Sequence, residues 1–230
     1  MNGQDEKQPG MDRRRFLMVS CGATLALVLH RGIAGASGGQ AGQAFVESIC
    51  PQDEKAANRV LIAYASRCGS TGSIAQAMAE ALCAKGASAE VRLVQNVKDL
   101  SPYQAVIVGS AIRAGKWLSE ATAFVKSNQD SLSRLPTAYF VACLTMREDT
   151  PENRAKVLAY LDPVRKGAPK ITPVAVGLFP GVVDFSKLSF MNKTVLEAKG
   201  ISEGDYRNLP AVKDWASEVA PAFMAARPRG

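Results

Sequence analysis

The run Val60-Leu61-Ile62-Ala63-Tyr64-Ala65 is apolar without a break and stops at Ser66-Arg67-Cys68-Gly69-Ser70-Thr71-Gly72. Directly after it, Ile74, Met78, Ala81 and Leu82 recur at the three-to-four spacing of a helix with one buried face. A buried strand, a tight loop and a helix start in immediate succession leave few folds open. They also build a chemical feature, because unpaired backbone N–H groups and the positive end of the helix dipole converge on one point. That point suits an anion.

The loop lacks the Gly-Lys-Ser/Thr ending of a nucleoside-triphosphate loop and the Gly-x-Gly-x-x-Gly of dinucleotide folds. It is instead rich in hydroxyls, with Ser66, Ser70, Thr71 and Ser73 as donors. Such a cradle suits a single terminal phosphate monoester, such as that of FMN. The plain structural reading is a Ser/Thr helix cap after a buried strand; four hydroxyls in eight residues favour a ligand.

Further along, 105–110, 137–144 and 173–179 are nearly continuous apolar runs, as parallel strands buried on both faces require. Residues 89–94 alternate polar with apolar, which predicts a strand at a sheet edge. Helical stretches lie between them at about 118–128, 151–166 and 209–226, the second opening on Thr150-Pro151, a capping hydroxyl followed by proline at the first position. The alternation predicts an α/β fold, a doubly wound five-stranded parallel sheet of order 2-1-3-4-5 flanked by helices. Ligands of such sheets bind beyond the carboxyl ends of the strands where the order reverses, which places 66–72 and 110–117 on either side of one crevice. Residues 180–208 form an excursion before the last helix. In it Leu188, Phe190, Met191, Val195 and Leu196 predict a partly apolar helix that covers the site, meets a partner or packs on the sheet edge.

Residues 58 to about 225 resemble the flavodoxin-like superfamily, in the branch that contains menaquinone-dependent protoporphyrinogen oxidase. Ser66-Arg67-Cys68-Gly69-Ser70-Thr71 is similar to that branch's Thr-Arg-x-Gly-x-Thr, and Gly109-Ser110-Ala111-Ile112-Arg113-Ala114-Gly115-Lys116-Trp117 is similar to its Gly-Ala-Ser-Ile-Arg-x-Gly-x-aromatic. The resemblance implies FMN, with Ser66, Arg67, Cys68, Gly69, Ser70 and Thr71 around the phosphate. Ser110, Ala111, Ile112, Arg113, Gly115, Lys116 and Trp117 would frame the ring, and Leu144, Thr145, Met146 and Arg147 would complete the site. On this reading Arg113 and Lys116 favour the negatively charged reduced flavin, Trp117 stacks on the ring, and no side chain is itself catalytic; the plain alternatives are a surface salt bridge for Arg113 and a hydrophobic cover on the sheet for Trp117. Cys68, a thiol beside the phosphate, adds no evident chemistry.

The N-terminus is of another kind. Asp12-Arg13-Arg14-Arg15-Phe16-Leu17-Met18, an uncharged run to Leu29 and Ala34-Gly35-Ala36 resemble a twin-arginine export signal over 1–36, followed by a Gly/Ala/Gln/Ser-rich linker over 37–57 and the flavodoxin-like domain over 58–230. The expectation is an exported, periplasmic protein; the alternative is an uncleaved signal that anchors it to the membrane. Export fits poorly with protoporphyrinogen oxidation, which belongs to the cytoplasmic side.

The formal charge is +7, of which +2 lies in the first 36 residues. The basic residues are scattered without interleaved aromatics, which argues against nucleic acid and suits peripheral association with anionic lipid or an acidic redox partner. The only histidine, His30, lies in the signal, so the expected mature domain cannot run Ser-His or Cys-His catalysis or ligate a metal through histidine. No metal is expected. Cys50, Cys68, Cys83 and Cys143 are spaced too widely for Cys-x-x-Cys motifs and are expected as free or buried thiols, although an oxidising compartment permits a bridge.

These observations predict an exported FMN-dependent oxidoreductase or electron-transfer protein that exchanges electrons with a quinone or a protein partner. The alternatives are a menaquinone-dependent protoporphyrinogen oxidase and a flavodoxin-like binding module without flavin.

Overall fold

The computed structural model describes residues 45–50, 58–187, 190–198 and 200–225; the stretch expected as an export signal, 1–36, lies outside them. Along the chain run β1 (Ser48–Cys50), β2 (Arg59–Ala65), α1 (Ser70–Ala84), β3 (Ser88–Leu93), β4 (Ala105–Arg113), β5 (Lys116–Trp117), α2 (Ser119–Ser127) and α3 (Gln129–Leu132). They are followed by β6 (Thr137–Ala142), α4 (Pro151–Ala159), α5 (Asp162–Gly167), β7 (Val176–Phe179), β8 (Val182–Val183), α6 (Phe190–Ala198), β9 (Gly204–Asp205) and α7 (Leu209–Met224).

The main sheet has the order β1-β3-β2-β4-β6-β7, with β2, β3, β4, β6 and β7 parallel. Those five strands carry the expected 2-1-3-4-5 arrangement. Alternate residues of β2 go to opposite faces. Val60, Ile62 and Tyr64 pack under α1 and α7, while Leu61, Ala63 and Ala65 belong to the cluster that also holds side chains of α2, α4 and α5. Burial on both faces is why these strands read as unbroken apolar runs.

Three details depart from expectation. The strand read as an edge is not one: β1, from the stretch read as linker, pairs antiparallel with β3 through Ser48↔Val91, Ile49↔Glu90 and Cys50↔Ala89. The polar half of the alternation in β3 is therefore buried. Glu90 is only 4% exposed and accepts a hydrogen bond from the Tyr103 hydroxyl at 2.6 Å, with Arg59 at 3.5 Å and Arg92 also bonded to it. The cysteine expectation changes with it, because Cys50 and Cys83 form a disulfide, while Cys68 and Cys143 are free.

The stretch expected as one helix over 151–166 is two. The Thr150 hydroxyl caps α4 by accepting from the Asn153 N–H at 3.2 Å. Pro163, which has no N–H to continue the α4 ladder, sits at the start of α5 instead.

Candidate functional site

Strand register assembles the site. Tyr64 and Ala65 at the end of β2 lie beside Gly109 and Ser110 of β4, and Ser110 and Ala111 lie beside Val141 and Ala142 at the end of β6. The chain leaving each strand thus emerges at the same edge, and 66–69, 111–117 and 143–147 are neighbours although far apart in sequence. Sequence reasoning expected this convergence.

The first loop turns on Gly69, whose φ of +83° lies in the left-handed region and which occupies the N-cap of α1. Its N–H donates to Ser66 Oγ at 2.9 Å, and its carbonyl accepts from the Gly72 N–H at 3.0 Å. No side chain caps α1, so the first N–H groups of the helix, which have no intrahelical acceptor, remain directed along its axis. Thr71 is fully buried, and its Oγ1 has no hydrogen-bond partner among the described residues. A buried hydroxyl without a partner costs about 1–3 kcal/mol, and a phosphate oxygen at the helix start is an acceptor of the right kind. The residues present therefore fit an FMN phosphate.

Other members of the loop are committed elsewhere. Arg67 forms an ion pair with Glu120 of α2 at 2.8 Å, and a backbone hydrogen bond, aided by Ser119 and then by the Arg67 charge, holds the Glu120 carboxyl below its usual range. Ser73 Oγ donates to the Ser70 carbonyl at 2.8 Å. Cys68 is a half-buried free thiol.

Residues 110–117 are not a loose loop. β4 runs on to Arg113 and returns as β5, with Ile112 opposite Trp117 and Arg113 opposite Lys116. The two linking residues, Ala114 and Gly115, have φ of +50° and +71°, the pattern of a tight hairpin turn whose twist matches its strands. Ser110 pins the hairpin at its base. Its hydroxyl accepts from the Leu118 N–H at 3.0 Å and donates to the Ala111 carbonyl at 2.8 Å, so the side chain is used internally. Arg113 and Lys116 project as exposed cations, Ala111 and Ile112 are half-buried, and Gly115 lies at the tip.

Of the two readings of Trp117, the structure shows the side chain covering the sheet. It is 5% exposed and packs edge-on against Tyr139 of β6, with ring centroids 5.4 Å apart, inside the cluster that holds α2, α4 and α5. Its indole covers the sheet. Burial wins because the hairpin turns this large apolar side chain onto the sheet, where it removes far more surface from water than it would beside a crevice.

After β6, Leu144–Arg147 makes a single 3₁₀ turn, with Met146 buried and Leu144 and Thr145 half-buried. Beneath it, burial pushes the Cys143 thiol above its usual range. Arg147 pairs with Glu148 at 2.8 Å and lies over the Tyr206 ring, 5.8 Å from its centroid.

Tyr206 and its neighbour Arg207 belong to the excursion, and sequence reasoning missed both. β8 and β9 close this segment as a small antiparallel ribbon, and Arg207 reaches back to hydrogen-bond Ser73 in the first turn of α1. The apolar residues of α6 face outward, with Phe190 83%, Met191 77% and Val195 52% exposed, so they do not pack on the sheet edge. Leu188 lies outside the described residues, and Leu196 is half-buried.

A family match agrees with this architecture. Residues 61–206 match the family described as Flavodoxin domain. A protoporphyrinogen IX dehydrogenase [quinone] from Leishmania major is 27% identical over 188 residues, covering 74% of this chain and 78% of that protein. One of the same description from Escherichia coli K12 is 26% identical over 163 residues, covering 68% and 88%. Among solved structures, a flavodoxin from the domain Archaea aligns with a TM-score of 0.43 at 18% identity, over 72% of this chain and 99% of that one.

Proposed function

The chain belongs to the flavodoxin domain family, with FMN as its cofactor, and on that premise we propose that it is an exported oxidoreductase passing electrons to a quinone. When bound, FMN supplies the electron chemistry. The observation that carries the reading is Thr71, a fully buried hydroxyl without a partner at the uncapped start of α1.

On this reading Gly69, Ser70 and Thr71 hold the phosphate through backbone N–H groups and hydroxyls, with Ser66 fixing the turn. The hairpin of 110–117 and the turn of 144–147 flank the ring. Arg113 and Lys116 carry no ion pair among the described residues and supply positive charge at the crevice rim. Their charge favours the electron-rich cofactor and attracts an anionic partner. A quinone as acceptor is supported by the names of the two relatives, both quinone-dependent dehydrogenases. Those names also favour a second reading, in which the electron donor is protoporphyrinogen IX.

Export is supported by the paired arginines at 13–15 and by the Cys50–Cys83 bridge, since structural disulfides form and persist in oxidising compartments. The test is purification with the native cofactor. A yellow protein holding one FMN per chain, whose reduced form is reoxidised by a menaquinone analogue, is the expected result. A colourless protein that takes up no added FMN sinks the proposal, and turnover with protoporphyrinogen IX decides for the second reading. Changing Arg13-Arg14-Arg15 to lysines should retain the protein in the cytoplasm; unchanged export would overturn that part.

A further inference from the structure

We propose that Arg207 is a phosphate-directed cation of the FMN site, delivered by the 180–208 excursion, so that cofactor binding and the seating of that excursion are coupled. The inference rests on the FMN reading above and adds a residue that neither loop motif contains.

The geometry is specific. Arg207 directly follows β9, and its Nε and Nη2 donate to the two carboxylate oxygens of Asp205 at 2.8 and 2.5 Å, while its backbone N–H donates to Asp205 Oδ1 at 3.1 Å. This fork locks the guanidinium plane. The remaining nitrogen, Nη1, donates to Ser73 Oγ, and that hydroxyl passes its own hydrogen to the carbonyl of Ser70, a residue of the phosphate loop. The charge therefore stands against the first turn of α1, 134 residues away in sequence, with only 22% of the side chain exposed.

A guanidinium carries five N–H donors, and these bonds use three, leaving one on each terminal nitrogen. A planar cation with spare donors, oriented beside an uncapped helix start that already holds an unpartnered buried hydroxyl, is suited to a phosphate dianion.

The coupling follows from the adjacent residue. Tyr206 donates its N–H to the Gly181 carbonyl at 3.1 Å and lies under Arg147 of the turn after β6. Consecutive residues of the excursion thus touch the chain leaving β2 and the chain leaving β6, on opposite sides of the crevice. A phosphate that engages Arg207 holds the segment in place, and by linkage the seated segment tightens the phosphate.

The experiment titrates apoprotein with FMN and with riboflavin, which lacks the phosphate, following quenching of flavin fluorescence. Arg207→Ala should weaken FMN by roughly tenfold or more, as expected for a hydrogen bond to a charged group, and leave riboflavin within about twofold. Arg207→Lys should fall between, and Ser73→Ala should give a smaller loss with the same selectivity. Bound FMN should also slow proteolytic cleavage between 186 and 203 in the parent and not in Arg207→Ala. Equal losses for FMN and riboflavin would make Arg207 a prop of the fold, and unchanged affinities would remove it from the site; either overturns the inference. A parent that binds riboflavin but gains nothing from the phosphate overturns it too, whereas a parent that binds neither ligand overturns the FMN reading itself.

Discussion

Cys50 in β1 is bonded to Cys83 near the end of α1, their Cα atoms 6.2 Å apart and their positions 33 residues apart in sequence. Closing a loop of this size restricts the unfolded chain by about 3–4 kcal/mol in the chain-entropy account. The bond lies at the far end of α1 from Gly69. Reduction, or Cys50→Ser with Cys83→Ser, should therefore lower the free energy of unfolding by that order, read as a fall in the urea midpoint, while leaving FMN affinity within about twofold. Denaturation with and without reductant checks the first part and flavin titration the second.

Thr71→Val should move stability and binding in opposite directions. The replacement keeps the shape and removes a buried hydroxyl with no partner, so the apoprotein should gain about 1 kcal/mol. The same change deletes a donor to a charged phosphate, worth about 1.5–3 kcal/mol, so FMN should bind at least tenfold more weakly. Melting of the apoprotein and flavin titration read the two signs separately.

Trp117→Ala should behave as a core deletion. With the indole 5% exposed and packed on Tyr139, the cost should be about 3–5 kcal/mol of folding free energy. Urea denaturation measures it; a loss under 1 kcal/mol would put the indole outside the core after all.

Alkaline pH should unfold the protein steeply. Burial raises the Tyr64, Tyr103 and Tyr139 hydroxyls to about 12, with the Glu90 carboxylate adding to the effect at Tyr103. Above pH 10 the unfolded chain loses these protons while the folded one keeps them, so the unfolded state is favoured. The stability is fully present below pH 10 and is lost as pH rises towards 12, by up to about 3 kcal/mol per tyrosine. Urea midpoints between pH 8 and 11.5 should trace the fall, and Tyr139→Phe should flatten it.

How much could be read beforehand depended on the range of the interactions. β2, β4 and β6 were legible because burial on both faces writes itself locally as an apolar run, and the first loop because hydroxyls and Gly69 sit together. The hairpin was not, since Ala114-Gly115 lacks the Asn-Gly or Asp-Gly pair that announces such a turn. β1 was missed because three residues, Ser-Ile-Cys, carry too little pattern; what holds them is a bond to Cys83 and pairing with β3. Arg207 was missed for the same physical reason, its partner Ser73 being remote in the chain. The break between α4 and α5 was missed although its signal is local, Pro163 standing inside the stretch read as one helix.

β1 also governs how the molecule behaves towards its own kind. With β1 in place, the backbone groups of β3 that face away from β2 are occupied from Ala89 to Val91. Removing it would present a six-residue strand with an open hydrogen-bonding side, the template on which sheets of separate molecules join. The bond from Cys50 to Cys83 thus acts as a guard on solubility: a concentrated sample that has lost it would be expected to associate edge to edge before its crevice is disturbed.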